Sequence, residues 1–448
     1  MAVHLDLSRY AQVLPRTGLP MSEGRLLKVV GLLLEAGGCA ASIGDVYEVA
    51  DSSHGCGTEA EVVGLRGDRT LLMPLGDTQG LRVGAVLRKV GHSGFVRVGR
   101  ALLGRVVDGL GRPIDGKGEI PMTIERALHG VPRNPLVRRP VNTPFGTGVK
   151  VIDTLLTMGE GQRLGIFAGG GVGKSSLLGM VVRGAEADVA VVALIGERAR
   201  EVEDFVNSIL GQAGLARSVV VVATSSDPPL LRARGALYAA TVADYFAGHG
   251  QRVLFVMDSL TRYAMARREI GLSVGEPPAT KGYTPSVFAS LPQLLERAGN
   301  SAGAGSITGL YTVLVEADDM GDPIADTARA ALDGHVVLSR ELSERGQFPS
   351  IDVLRSISRV MPAVSDPQAM AVAKRVRQTL ATYAEASELL AVGAYRRGAI
   401  AEMDDALAQM PALTGFFAQE LTETCSRERA RQELAALVLR EQTAEQAP

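Results

Sequence analysis

Cysteine is scarce in this 448-residue chain: Cys39, Cys56 and Cys425 are odd in number and far apart, with no C-x-x-C spacing. That excludes a disulfide framework and fits a reducing compartment. The six histidines are scattered, which argues against a His-built metal site. The formal net charge is −2, so nothing points to bulk nucleic-acid binding. The longest apolar run, near Val29 to Leu34, falls far short of the ~20 residues a bilayer requires. The opening residues, MAVHLDLSRYAQVL, lack the apolar core of a secretion signal. Together these absences predict a soluble cytoplasmic protein.

The chain has apolar residues in quantity, 46%, and length for about three domains. Residues 1–95 alternate short apolar runs (LLKVVGLLLEA, DVYEVA, AEVVGL, TLLMPL, AVLRKV) with Gly, Asp and Ser. That pattern predicts a small antiparallel barrel or sandwich. Arg66-Gly67-Asp68 falls between two such runs and reads as a hairpin turn, since an adhesion role requires an extracellular protein. A Gly- and Pro-rich stretch follows, Leu102 to Pro121, then RNPLVRRPVNTPFGTG; 96–148 reads as linker plus the edge of the next domain. From about Val149 to Val360 continuously apolar strands (LGIFA, VAVVALI, SVVVVAT, RVLFVMD, ITGLYTVLVE, HVVLSR) alternate with helical stretches such as ARGALYAATVADYFAGHG. Strands apolar on both faces, separated by helices, predict a mostly parallel sheet covered on both sides. Beyond about Asp366 the strands stop, and a helical C-terminal domain, 363–448, is expected. The α/β core would then span 96–362.

One stretch carries the chemistry. Gln162 to Ser176 reads QRLGIFAGGGVGKSS, an apolar run entering a glycine loop that opens into the helix-like LLGMVVRG. This is the context of a phosphate-binding P-loop. Backbone N–H groups of Gly169, Gly170, Gly171, Val172 and Gly173 would wrap phosphate oxygens, helped by the helix dipole from Ser175 and Ser176 onward. Lys174 would reach the β- and γ-phosphates, and the Ser175 hydroxyl would ligate Mg²⁺. Ala168 stands where the strict pattern GxxxxGK[ST] has its first glycine. A plain glycine turn before a core helix is the alternative, and GKS at a strand-to-helix junction argues against it.

Two carboxylates end strands nearby. Asp258 closes RVLFVMD, where a parallel strand opens onto the ligand crevice, and would hold Mg²⁺ or one of its waters. A helix cap is the other reading of a strand-terminal Asp. Glu197 follows VAVVALIG and could orient or deprotonate an attacking water. Glu201, four residues on, could hold a Mg²⁺-bound water. On spacing alone the favoured reading of this stretch is a capping, solvated acidic helix start.

At this point the motifs support a resemblance. LLGRVVDGLGRPIDG, GVKVIDTLLTMGEGQRLGIFAGGGVGKS, LIGERAREV, MDSLTRYAMARREI, GEPPATKGYTPSVFASLPQLLERAG and FPSIDVLRSISRVMP resemble, in order, the RecA-like rotary-type ATPases. They run from about residue 100 to 362. Within that family the chain is most similar to the flagellar protein-export branch, with the injectisome ATPases as near neighbours. The resemblance implies an α/β fold: a RecA-like P-loop NTPase core, a small N-terminal β-barrel and a helical C-terminal domain. It implies an Mg²⁺-dependent ATPase acting as a homohexamer. Glu197 matches the catalytic glutamate, Arg198 its neighbour, Glu201 the Mg²⁺-shell acid, and Arg262 an arginine near the γ-phosphate. Phe348 matches the aromatic against adenine, commonly tyrosine, and Tyr395 the other wall of the base pocket. Arg359, in SISRVMP, matches an arginine finger that reaches a neighbouring subunit's site.

The implied partners are export chaperone–cargo complexes, a central stalk, a membrane export gate and a stator-like dimeric regulator. The regulator would dock on the face of Val3, Leu7, Tyr10 and Leu14, which could equally be a barrel-packing helix. The implied location is the cytoplasm, peripheral to the inner-membrane export apparatus. The loop GLSVGEPPATKGYTP, rich in Gly and Pro, is expected outside the sheet, facing a ring's channel. Alternatives remain. A rotary ATP synthase catalytic subunit is disfavoured by AGGGVGKS and by the absence of an acidic DELSEED-type loop. A non-catalytic structural subunit is disfavoured by intact Lys174, Glu197 and Asp258. A Rho-like RNA translocase is disfavoured by charge and by the lack of a basic aromatic platform in 1–95.

Overall fold

The computed structural model describes residues 23–50, 57–122, 124–130, 134–315 and 321–444. The face of Val3, Leu7, Tyr10 and Leu14 lies outside them.

Six antiparallel strands close a barrel at the N-terminal end. In order around it they are Gly24–Val30, Leu33–Gly37, Arg69–Pro74, Thr58–Arg66, Asp45–Val49 and Val86–His92. Alternation puts Leu34, Tyr47, Val49, Val62 and Leu72 inside. Closure leaves no exposed sheet edge, and it decides for the barrel over the sandwich. The run LLKVVGLLLEA is two strands folded at Gly31 (φ 57°). Gly67 and Asp68 form the two-residue turn expected of the RGD, with Gly67 at φ 60°. Beside that turn, the Arg66 guanidinium donates to the Val274 carbonyl at 3.3 Å, joining barrel to core.

Among the described residues the core is a nine-stranded sheet, in which Gly299–Asn300 pairs antiparallel with Ser306–Leu314 off the main path. Its main path runs Ile351–Ser358, Gly334–Leu338, Arg163–Ala168, Ser306–Leu314, Arg252–Asp258, Val189–Ile195, Ser218–Ala223, Val106–Asp108. All pairs on this path are parallel except the first. Val189–Ile195 makes the double burial plain. Val191, Ala193 and Ile195 feed the core under the helix Pro229–Gly248, and Ala190, Val192 and Leu194 feed the core under the helix Lys174–Gly184. A strand with helices on both faces has no polar side to display, hence the unbroken apolar runs. Within the expected linker, Val106–Asp108 is itself the sheet's far edge, clamped by Asp115. Asp115 accepts from Arg105 at 2.7 and 2.9 Å and from the Val106 N–H at 3.1 Å.

Three long helices follow, Pro367–Ala391, Ala401–Phe417 and Arg427–Ala444. A non-helical break at 418–426 contacts the core. The segment GLSVGEPPATKGYTP is less loop than expected. Gly271–Val274 complete the helix Leu260–Val274, which ends on Gly275 at φ 93°. No helix among the described residues is long and apolar enough to cross a membrane.

Candidate active site

Parallel strands deliver their C-terminal ends to one edge, and the predicted residues meet there. Strand Arg163–Ala168 runs into the glycine loop. Gly171 (φ 77°) and Gly173 (φ 88°) turn it, in a backbone region that disfavours side chains. A Cβ on Gly170 or Gly171 would meet nothing within 4 Å, so the loop borders open space. Helix Lys174–Gly184 begins immediately after, with no side-chain cap, which leaves its first N–H groups available.

The Lys174 ammonium spans two carboxylates, 2.5 Å from Asp258 Oδ1 and 3.3 Å from Glu197 Oε1. Burial works against its charge, but the two carboxylates outweigh burial and hold the ammonium above its usual range. Burial pushes the Asp258 carboxyl up, against the pull of Lys174 and with the help of Glu197's like charge. Asp258 Oδ1 also accepts the Thr312 hydroxyl at 2.6 Å, from the adjacent strand Ser306–Leu314. Sequence reasoning did not single out Thr312.

Glu197 is reached through Gly196 (φ 73°), whose N–H donates to Ala223 O at 2.6 Å. A Cβ on Gly196 would come within 2.7 Å of the Arg262 side chain. That packing brings Arg262 under the same edge, with its Nε buried and unpartnered. Arg198 and Glu201 point elsewhere. They pair with each other at 3.4 Å on the surface, the Arg198 side chain 81% exposed. Neither is hydrogen-bonded to Lys174 or Asp258 in this arrangement.

Phe348 lies against the loop: a Cβ on Gly173 would come within 3.3 Å of its ring. Ser350 Oγ donates to the Val172 carbonyl at 2.6 Å and fastens this segment to the loop. Tyr395 is not brought there. It is buried in a separate cluster with Ala386 and Met403 between two C-terminal helices, its hydroxyl bonded to Ile400 O at 3.0 Å. Packing a ring into that helical hairpin removes it from the expected second wall. Arg359 is also away from this edge. Its guanidinium donates to Leu332 O at 3.2 Å.

The donors at the edge, Ser175 hydroxyl and the Asp258 and Glu197 carboxylates, are all hard oxygens. That set suits Mg²⁺ and not a soft metal. Two carboxylates bridged by an ammonium, beside a glycine loop that borders open space and a helix start without a side-chain cap, are an arrangement able to bind a polyphosphate and activate water.

Known proteins resemble this chain over most of its length. The ATP synthase alpha/beta family, nucleotide-binding domain, matches residues 148–358, and that family's beta-barrel domain matches 26–91. The T3SS EscN ATPase C-terminal domain matches 365–436. The flagellum-specific ATP synthase of Pseudomonas aeruginosa is 49% identical over 435 residues, 96% of each chain. The type 3 secretion system ATPase of Xanthomonas euvesicatoria is 48% identical over 88% of this chain and 89% of that one. Among solved structures, the assembled ATPase EscN from the enteropathogenic E. coli type III secretion system matches with TM-score 0.87 at 44% identity. The match covers 93% of this chain and 100% of that one. The same ATPase in complex with its central stalk EscO matches with TM-score 0.85 at 43% identity, with the same coverage.

Proposed function

Because this chain belongs to the ATP synthase alpha/beta family, in the branch of flagellum-specific ATP synthases and type 3 secretion ATPases, we propose an ATPase that energises protein export. Flagellar assembly is the first assignment and injectisome secretion the second. One observation carries the site: the Lys174 ammonium joins Asp258 and Glu197 at the mouth of the glycine loop.

The loop N–H groups of residues 169–173 and the start of the helix at Ser175 and Ser176 bind the triphosphate. Lys174 turns from the carboxylates to the β- and γ-phosphates. Ser175 and Asp258 would hold Mg²⁺, with Glu201 swinging in toward its water shell. When bound, the ion would supply positive charge against the phosphate chain. Glu197, freed from Lys174, orients the attacking water and accepts its proton. Arg262 faces the γ-phosphate, with Arg198 beside Glu197. Phe348 stacks on adenine. Arg359 stabilises transition-state charge in the next subunit of a homohexamer, which completes each site at an interface.

EscN's central stalk suggests the equivalent partner here. Chaperone–cargo complexes, an export gate and a stator-like regulator complete the reading. The setting is cytoplasmic, at the inner membrane.

The test is ATP hydrolysis by the purified chain beside secretion of filament protein by a host lacking its own flagellar ATPase. Lys174→Ala should abolish the first and fail to restore the second. Near-wild-type turnover in that variant would remove the assignment.

A further inference from the structure

Phe348 is 45% exposed, yet it is anchored from behind. Its carbonyl accepts the Gln419 N–H at 3.0 Å. Residue 419 lies in the non-helical break between Ala401–Phe417 and Arg427–Ala444, so no helix fixes it. Its side chain does. Gln419 is 5% exposed. Its Oε1 accepts the Lys150 N–H at 2.9 Å. Its Nε2 donates to Gly148 O at 2.8 Å and to Glu423 O at 3.0 Å. The amide thus meets main-chain groups on both sides of the contact.

The far side of that contact is the foot of the phosphate-binding helix. Gly148 (φ 78°) packs so tightly on Gly184 that a Cβ would come within 2.8 Å of the Gly184 Cα. Two more ties run in parallel. The Lys150 ammonium meets Glu423 at 2.7 Å, and the Arg183 guanidinium, from the phosphate-binding helix, donates to Leu421 O. The break at 418–426 therefore touches the base side of the site through Phe348 and the phosphate side through Gly148, Lys150 and Arg183.

We propose that Gln419 is a positioning residue for the nucleotide, on the reading that Phe348 meets the base. Its side chain bolts residue 419 to the Gly148–Lys150 turn. The main-chain bond from residue 419 then sets where the Phe348 ring stands over the glycine loop. Base affinity becomes dependent on where the C-terminal helices sit. An apolar residue at 419 would leave the Lys150 N–H and Gly148 C=O without this partner, which the fold relieves by letting the break move.

The chain contains no tryptophan, so Phe348→Trp installs a single reporter at the base position. In that background Mg²⁺-ADP should quench the emission, and Mg²⁺-pyrophosphate, which fills the loop without a base, should not. Adding Gln419→Leu should weaken the ADP Kd roughly tenfold, shift competition by pyrophosphate less than about twofold, and lower the Trp anisotropy. Gln419→Glu, which keeps the acceptor toward Lys150 and loses the donor, should fall between; it serves if the leucine variant does not fold. An unchanged ADP Kd in both variants would overturn the proposal. So would equal losses for ADP and pyrophosphate, which would mark a merely structural contact. Absence of ADP quenching in the Phe348→Trp parent would remove the base-wall reading, and this proposal with it.

Discussion

Arg359 and Lys174 stand at opposite ends of one strand. The Arg359 N–H donates to Asp333 O, and the Asp333 N–H donates to Arg163 O, at the start of Arg163–Ala168. Lys174 follows the other end of that strand, after the glycine loop. Six residues at ~3.3 Å each put most of 20 Å between those ends. The Leu332 carbonyl holds the Arg359 guanidinium at the far one. Within one chain the two cannot address the same phosphate. Their joint use requires a second copy, which is why the account of this enzyme turns on an interface.

Glu197 is expected to act in chemistry more than in binding. Its carboxylate sits 3.3 Å from the Lys174 ammonium, where the phosphate chain would end and not where the base would lie. Glu197→Gln keeps the size and loses the base. ATP should bind with similar affinity while kcat falls by about 10²-fold or more. Equilibrium binding beside single-turnover hydrolysis checks this; lost affinity with kcat preserved would contradict the role.

Thr312 should matter through Asp258. The hydroxyl donates at 2.6 Å to Oδ1, the same oxygen that faces Lys174. Thr312→Val preserves shape and removes the donor. Mg²⁺-ATPase activity should fall about tenfold or more, the scale seen when a ligand loses its outer hydrogen bond. The required Mg²⁺ concentration should rise, and Thr312→Ser should restore both. A valine variant with the parent's Mg²⁺ dependence would show Asp258 to be held by other means.

The edge strand at Val106 gives a pH prediction. Hydrogen bonds from the Arg105 guanidinium, then from backbone N–H groups of Val106 and Lys117, hold the Asp115 carboxyl well below the usual carboxylate range, despite its burial. A folded-state value below the unfolded one means the stabilisation is whole above about pH 4 and drains away as pH falls further. Asp115→Asn should cost about 2 kcal/mol at neutral pH, the scale of a hydrogen bond to a charged group. The gap in Tm between variant and wild type should stay level from pH 7 to about pH 5 and narrow below about pH 4. A gap independent of pH throughout would rule out the ionised carboxylate as its source.

The meeting of Lys174, Glu197 and Asp258 was legible because parallel strands send every C-terminal end to one edge, whatever their lateral order. Thr312 was not, for the same reason. A strand buried on both faces reads only as apolar. Nothing in SITGLYTVL says that it lies between Arg163–Ala168 and Arg252–Asp258. Ile351–Ser358 does not read as a strand because it pairs antiparallel at the sheet's edge and its pattern breaks step: Leu354 and Arg355 are both exposed, and Ile357 is exposed between buried Ser356 and Ser358. Tyr395 was drawn to the base pocket by resemblance, and local helix packing claims it instead. Gln419 gives no local signal at all: its partners at Gly148 and Lys150 are some 270 residues away.

The most direct test of a shared active site mixes two inactive proteins. Arg359→Ala alone should lose roughly 10³-fold in kcat, the lower end for arginine fingers. Lys174→Ala alone should be inactive. In rings formed from equal amounts, about one interface in four pairs an intact Lys174 with a neighbour's intact Arg359, if subunits mix at random. ATPase activity should therefore return to a substantial fraction of wild type on mixing, and it should rise with total protein concentration as rings form. No recovery in rings proven to contain both variants would contradict the account, as would a fully active monomer.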